Sequence, residues 1–119
     1  MKTLNTLYVE EVLSPTLLGS AQPAVRRLKD LMLVLYDAAS CRSIDPELTV
    51  YEVYRDVCSG KEQDILLKHG LRYDVTVIPP MLLGKERAKT LGHIHSPCRE
   101  GSSYPEVLEV LEGEARFLI

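Results

Sequence analysis

The most informative part of the chain reads Thr90-Leu91-Gly92-His93-Ile94-His95. Side chains at positions i and i+2 of a β-strand point to the same face, so His93 and His95 are expected to project together. On a strand their Cα atoms would lie about 7 Å apart, which lets two imidazoles bind one ion. A carboxylate from an adjacent strand would complete a facial site with open positions for water or substrate. The stretch therefore predicts a divalent-metal site on a β-sheet.

The segments around the histidine pair carry the patterns of a small β-protein. Residues 49–57 are rich in β-branched and aromatic side chains, and residues 72–78 alternate between polar and apolar. The alternation ends at Pro79-Pro80, and Gly84-Lys85 is expected to begin a return of the chain. Residues 106–119 are expected to form two short strands around a turn at Gly113, although charges three apart also suit a helix over residues 106–111. Short strands with regular turns predict an all-β sandwich or barrel.

Helical patterns are confined to two stretches. Residues 24–36 place apolar side chains at i, i+3, i+4 and i+7, which predicts a helix, although residues 32–36 fit a buried strand equally well. Residues 63–70 are expected to hold one helical turn closed by Gly70. We therefore divide the chain into an N-terminal extension with a short helix or strand, residues 1–47, and the first part of a barrel domain, residues 48–119.

Composition excludes several classes of protein. The chain has 119 residues, enough for one domain, and its 14 Lys+Arg against 17 Asp+Glu give a net charge of −3. That charge argues against a nucleic-acid partner. No apolar run approaches the roughly 20 residues of a membrane span, so no membrane partner is expected. The cysteines, Cys41, Cys58 and Cys98, form no CxxC pair, and we expect reduced thiols in a cytoplasmic protein.

Besides residues 90–95, the informative stretches are Tyr104-Pro105-Glu106-Val107, Leu111-Glu112-Gly113-Glu114-Ala115 and residues 25–30, 50–54, 74–79 and 84–86. Together they resemble one family, the cupin-type phosphoglucose isomerases of archaea and some bacteria. Two carboxylates compete for the third ligand position of the cupin motif. Glu100 has the commoner spacing after His95, but Glu106 is followed by six residues and then Gly113, as in the motif. We favour Glu106, because the turn glycine fixes where the next strand begins.

The resemblance implies a mainly all-β cupin (jelly-roll) barrel, here partial and with a short helical N-terminal segment. It further implies a homodimer that interconverts glucose 6-phosphate and fructose 6-phosphate, in glycolysis and gluconeogenesis. His93, His95 and Glu106 match the metal ligands, and the ion would be Fe, Mn, Ni, Co or Zn. Glu106 is also the candidate catalytic base if a cis-enediolate forms, whereas a hydride shift would need no base. The positions that match substrate-binding residues are Tyr51, Thr76, Lys85, Thr90 and Gly92.

The sequence departs from the family at two points. Leu108 stands where the family commonly has an aromatic residue, and no histidine follows His95 to supply a fourth ligand. We therefore expect a fragment or truncated form that lacks the second cupin motif and whose activity is open. The alternatives are a non-catalytic sugar-phosphate-binding cupin, or another cupin metalloenzyme such as an Fe(II) dioxygenase.

Overall fold

A three-stranded antiparallel sheet organises the computed structural model, which describes residues 18, 22–58, 60–97 and 101–118. Its strands are β1 (Ala24–Arg27), β2 (Thr49–Tyr54) and β3 (Val75–Val77), in the order β1-β2-β3. β2 lies in the middle, where β-branched and aromatic side chains pack well against neighbours on both sides. Strands were predicted over residues 49–57 and 72–78, and the structure confirms both, with tighter bounds.

A short hairpin follows β3. Strand β4 (Leu82–Leu83) pairs with β5 (Glu86–Arg87) across a turn at Gly84-Lys85, as predicted. Gly84 has φ of 65°, a left-handed conformation that glycine adopts without steric cost. A Cβ at this position would lie 2.9 Å from the backbone oxygen of Asp37, so the turn packs directly against another part of the chain.

Helical segments connect the strands. They are α1 (Leu28–Leu31), a 3-10 helix (Met32–Val34), α2 (Ala38–Cys41) and α3 (Gly60–Lys68). The helical turn expected over residues 63–70 is therefore longer than predicted and begins earlier. It ends in a Schellman motif at Gly70, whose φ is 64°: the N–H of Gly70 donates to the carbonyl of Leu67, and that of Leu71 to Leu66.

The predicted helix over residues 24–36 is wrong for its first four residues. Ala24–Arg27 forms strand β1, because its backbone pairs with β2, and tertiary pairing overrides the helical spacing. The helix begins only at Leu28, where the N–H of Arg27 donates to the carboxylate of Asp30 at 2.8 Å. The alternative of a buried strand over residues 32–36 is also wrong, since residues 32–34 form the 3-10 helix.

The main core lies between the helices and the sheet. Its buried members are Leu28, Leu31, Leu35, Cys41, Val50, Tyr51 and Leu83. The first three are spaced at i, i+3 and i+7, so the predicted apolar face exists although it is not one continuous helix. Both the core and the β1-β2 pairing join residues on either side of position 47. The division into residues 1–47 and 48–119 stays a prediction.

The last described stretch, residues 106–118, is irregular and almost entirely exposed. The hairpin predicted over residues 106–119 is wrong for the described residues 106–118, which contain no strand; they bend at residues 111–113, where Gly113 has φ of 85°. A strand requires a neighbour that supplies hydrogen bonds, and no described strand pairs with this stretch. Just before this stretch, an isolated antiparallel β-bridge joins Pro97 and Ser103.

Sheets joined by a few short helices agree with the expected mainly β, partial cupin fold, and no barrel closes among the described residues. Within the same residues, no helix has the length and apolar character needed to cross a membrane.

Candidate functional site

The two histidines lie close together in an exposed, irregular segment that follows β5. Their ring centroids are 5.1 Å apart, with the ring planes at 53° to each other. The predicted strand for this pair is wrong, because residues 88–96 have no regular structure and no described strand pairs with them. The juxtaposition of the rings therefore comes from the local path of the chain and not from the alternation of a β-strand.

Glu106, at the start of the irregular stretch of residues 106–118, lies beside the histidine pair. Its Oε2 atom is 3.5 Å from Nε2 of His95, which makes an ion pair when the imidazole is protonated. The two side chains are 47% and 35% exposed, so solvent and small ligands reach both of them. Of the two carboxylates that competed for this position, Glu106 thus lies beside a histidine, while Glu100 lies outside the described residues, as does Cys98.

The donor types suit a divalent transition-metal ion, since imidazole nitrogen and carboxylate oxygen are its common protein ligands. The three donors do not yet converge: among the described residues, no group of three or more His, Cys, Asp or Glu side chains is arranged to hold a metal ion. The structure therefore brings the rings of His93 and His95 together and places Glu106 against one of them.

A buried tyrosine holds the backbone just before the histidines. Tyr51 lies on β2 and is 5% exposed, and its hydroxyl accepts a hydrogen bond from the N–H of Leu91 at 3.2 Å. The carbonyl oxygen of Leu91 lies 3.5 Å from Nδ1 of His93. Leu91 itself is half-buried against the core. The segment that carries the histidines is thus attached to the sheet at Leu91.

A second attachment lies two residues earlier and was not predicted from the sequence. Lys89 donates from Nζ to the carbonyl oxygen of Val34 at 2.6 Å and to Oε2 of Glu86 at 2.8 Å, while the N–H of Tyr36 donates to Oε1 of Glu86 at 2.6 Å. The hydrogen bond from Lys89 is the largest of the effects that lower the pKa of Glu86 below its ordinary value. In the sequence, the opposite charges of Glu86 and Lys89 three positions apart indicate this ion pair, but nothing indicates the contacts with Val34 and Tyr36.

The predicted substrate-binding residues are distributed over different elements. Thr90 and Gly92 are exposed and flank Leu91 in the histidine segment. Thr76 is exposed on β3, and Lys85 is exposed in the β4-β5 turn, which belongs to the other sheet. Tyr51, in contrast, is a core residue. The roles assigned to these five residues stay predictions.

Comparisons with known proteins agree with the resemblance drawn from the motifs. The family model described as "Glucose-6-phosphate isomerase (GPI)" matches residues 25–119. A glucose-6-phosphate isomerase from Thermococcus litoralis is 31% identical over 111 residues, which cover 86% of this chain and 55% of that protein. This chain therefore spans about half the length of that relative. No solved structure matches the chain significantly. Because the family match extends from β1 through the histidine pair and Glu106, the chain belongs to the glucose-6-phosphate isomerase family.

Proposed function

We propose that this chain carries the metal-binding and phosphate-binding residues of a metal-dependent isomerase that interconverts glucose 6-phosphate and fructose 6-phosphate. Membership of the family supports the reaction. One structural observation supports the proposed metal site: the centroids of two imidazole rings are 5.1 Å apart, and the carboxylate of Glu106 is 3.5 Å from one of these rings. The isomerase from Thermococcus litoralis is nearly twice as long as the matched region.

The metal ligands would be His93, His95 and Glu106, and the ion would be Fe, Mn, Ni, Co or Zn. When bound, a divalent ion stabilises negative charge on the oxygens attached to C1 and C2 of the sugar. Glu106 already lies beside His95, and both of these side chains are partly exposed.

The other roles fall to polar groups of the chain. Glu106 has two carboxylate oxygens, so one can face the histidines while the other takes the proton from C2 of glucose 6-phosphate and returns it to C1, as the hydroxyl proton passes from O2 to O1. A hydride shift from C2 to C1, with the same transfer of the hydroxyl proton, would need no base at carbon. The hydroxyls of Thr76 and Thr90, the N–H of Gly92 and the ammonium of Lys85 all donate hydrogen bonds, and a phosphate group accepts on every oxygen. These are the residues that we propose bind the sugar phosphate.

Exposed apolar side chains of residues 106–118 support a homodimer. Val107 is 94% exposed, Phe117 50% and Leu118 101%, so this stretch has apolar side chains that a second copy of the chain would cover. Light scattering should give twice the 13.4 kDa of one chain. A mass of one chain at every concentration would contradict the homodimer without touching the proposed chemistry.

The experiment that tests the function measures glucose 6-phosphate formation from fructose 6-phosphate with added Mn²⁺, Fe²⁺ or Ni²⁺. We expect turnover that requires the metal and is lost in His93→Ala but retained in His69→Ala, since His69 is an exposed residue beyond helix α3. Mn²⁺ binding that depends on His93, together with binding of fructose 6-phosphate but no turnover, would replace the isomerase by a sugar-phosphate-binding protein. Equal Mn²⁺ binding by the wild type and His93→Ala would reject the metal site.

A further inference from the structure

Tyr51 and Leu91 form a link between the buried sheet and the exposed histidine segment. The two residues are 40 positions apart, and the hydrogen bond from the Leu91 N–H to the Tyr51 hydroxyl crosses from one to the other. The tyrosine ring is packed in the core and is 5% exposed, so its hydroxyl is held in one place. A hydroxyl on a fixed ring is a fixed acceptor, and the peptide that donates to it is fixed as well.

The carbonyl group of Leu91 faces the ring of His93. The oxygen of Leu91 is 3.5 Å from Nδ1 of His93, so a proton on Nδ1 points toward that carbonyl. A neutral imidazole that carries its proton on Nδ1 has its lone pair on Nε2. Histidines that bind metals commonly donate their other ring N–H to a backbone carbonyl, which fixes both the tautomer and the orientation of the ring.

We propose that Tyr51 is a positioning residue for His93: its hydroxyl holds the Leu91 backbone, and the Leu91 carbonyl then keeps the proton of His93 on Nδ1 and leaves Nε2 available to a metal ion. This inference rests on the proposed function, because it takes His93 as a metal ligand. It differs from the role of a residue that lines the sugar pocket, since Tyr51 acts through Leu91 whether or not sugar phosphate is present. The burial of Tyr51 favours action through the backbone.

The test compares Tyr51→Phe with a matched control, Tyr54→Phe. Both changes remove one phenolic hydroxyl from β2 and keep the ring. The hydroxyl of Tyr54 donates to Glu52 at 2.9 Å and is not linked to Leu91. We expect Tyr51→Phe to weaken Mn²⁺ binding, measured without sugar phosphate by the electron paramagnetic resonance of free Mn²⁺, by about 10-fold, the lower end for residues that support metal ligands. Tyr54→Phe should bind Mn²⁺ as the wild type does.

The ¹⁵N nuclear magnetic resonance shifts of the His93 ring, measured in the folded metal-free protein, supply a readout that a general loss of stability would not change. In the wild type the ¹⁵N shifts of the His93 ring should show the proton on Nδ1, and the Leu91 amide should exchange slowly. Tyr51→Phe should move the ring shifts toward a mixture of tautomers and accelerate exchange at Leu91. Unchanged ring shifts together with unchanged Mn²⁺ affinity would overturn the proposal.

Further measurements apply if Tyr51→Phe does not fold or if Mn²⁺ does not bind. If Tyr51→Phe does not fold, replacing the Leu91 peptide N–H by an ester oxygen removes the donor and leaves the tyrosine in the core, with the same expected results. If neither the wild type nor His93→Ala binds Mn²⁺, the metal site fails, and the ring shifts alone decide whether Tyr51 positions His93. A loss of sugar-phosphate affinity in Tyr51→Phe, with Mn²⁺ affinity unchanged, would make Tyr51 a substrate contact and overturn the positioning role.

Discussion

Replacing Gly84 with alanine should destabilise the fold more than the same replacement at Gly70. Both glycines have a left-handed backbone, with φ of 65° and 64°. This conformation costs a residue with a Cβ about 1–2 kcal/mol. The two sites differ in their surroundings: a Cβ at Gly70 meets nothing within 4 Å, whereas one at Gly84 lies 2.9 Å from both the backbone oxygen and Oδ2 of Asp37.

At Gly84 the contact with Asp37 adds a second loss of unfolding free energy, because a backbone oxygen cannot rotate away as the end of a side chain can. Forcing a methyl group into a filled space typically costs about 1–3 kcal/mol, so Gly84→Ala should lose about 2–5 kcal/mol in total and Gly70→Ala about 1–2 kcal/mol. A chain of 119 residues has a total free energy of unfolding of roughly 6–18 kcal/mol. The change at Gly84 therefore removes a substantial part of it.

The assay is urea unfolding followed by circular dichroism, with both variants and the wild type measured under the same conditions. The difference between the two variants isolates the contact with Asp37, because the backbone term is common to both. An equal loss at the two positions would refute the reasoning, since it would show that the turn and Asp37 separate at no cost. A greater loss at Gly70 would refute it as well.

Three further changes test other parts of the structure. Leu31→Ala removes a side chain that is 0% exposed and should cost about 2–5 kcal/mol in unfolding free energy, whereas Leu33→Ala, at a side chain 101% exposed, should change it by less than about 0.5 kcal/mol. The hydrogen bond from Lys89 lowers the pKa of Glu86, so its ionised carboxylate stabilises the fold at pH values above the ordinary pKa of 4.5 and loses this contribution as the pH falls through the lower pKa of the folded state. The difference in unfolding free energy between the wild type and Glu86→Gln should therefore shrink as the pH falls below 4.5. A difference that widens would contradict this. Glu106→Gln should weaken Mn²⁺ binding about 10-fold or more in the same titration, because a neutral amide replaces a charged ligand; an unchanged affinity would remove Glu106 from the site.

The sequence predicted the secondary-structure elements that are determined by residues adjacent in the chain. The β-branched run over residues 49–54 forms β2, Gly84-Lys85 makes the turn of the hairpin, and Gly70 ends helix α3. In each case the residues that decide the conformation are adjacent in the chain. His93 and His95 also lie close together as predicted, although their segment is not a strand and the predicted cause, β-strand alternation, is wrong.

The elements that sequence patterns missed depend on residues far apart in the chain. Strand β1 lies inside a stretch of helical spacing and exists because Arg26 lies opposite Tyr51 on β2. Likewise, no periodicity indicates that Tyr51 reaches Leu91. The proposed metal site combines both kinds of information: the ligand types are visible in the motif, and the contacts that hold the motif are visible only in the fold.

The long sequence separation of these contacts has a consequence for the order of folding. Leu91 is tied to a residue 40 positions away, and Lys89 to one 55 positions away. Closing loops of that size costs about 3 kcal/mol in chain entropy, apart from a constant, before either hydrogen bond forms. Docking of the histidine segment should therefore follow formation of the sheet. Contacts made after the rate-limiting step mainly slow unfolding. The hydrogen bonds of Leu91 and Lys89 should therefore lower the rate at which the histidine segment detaches, with little effect on the folding rate.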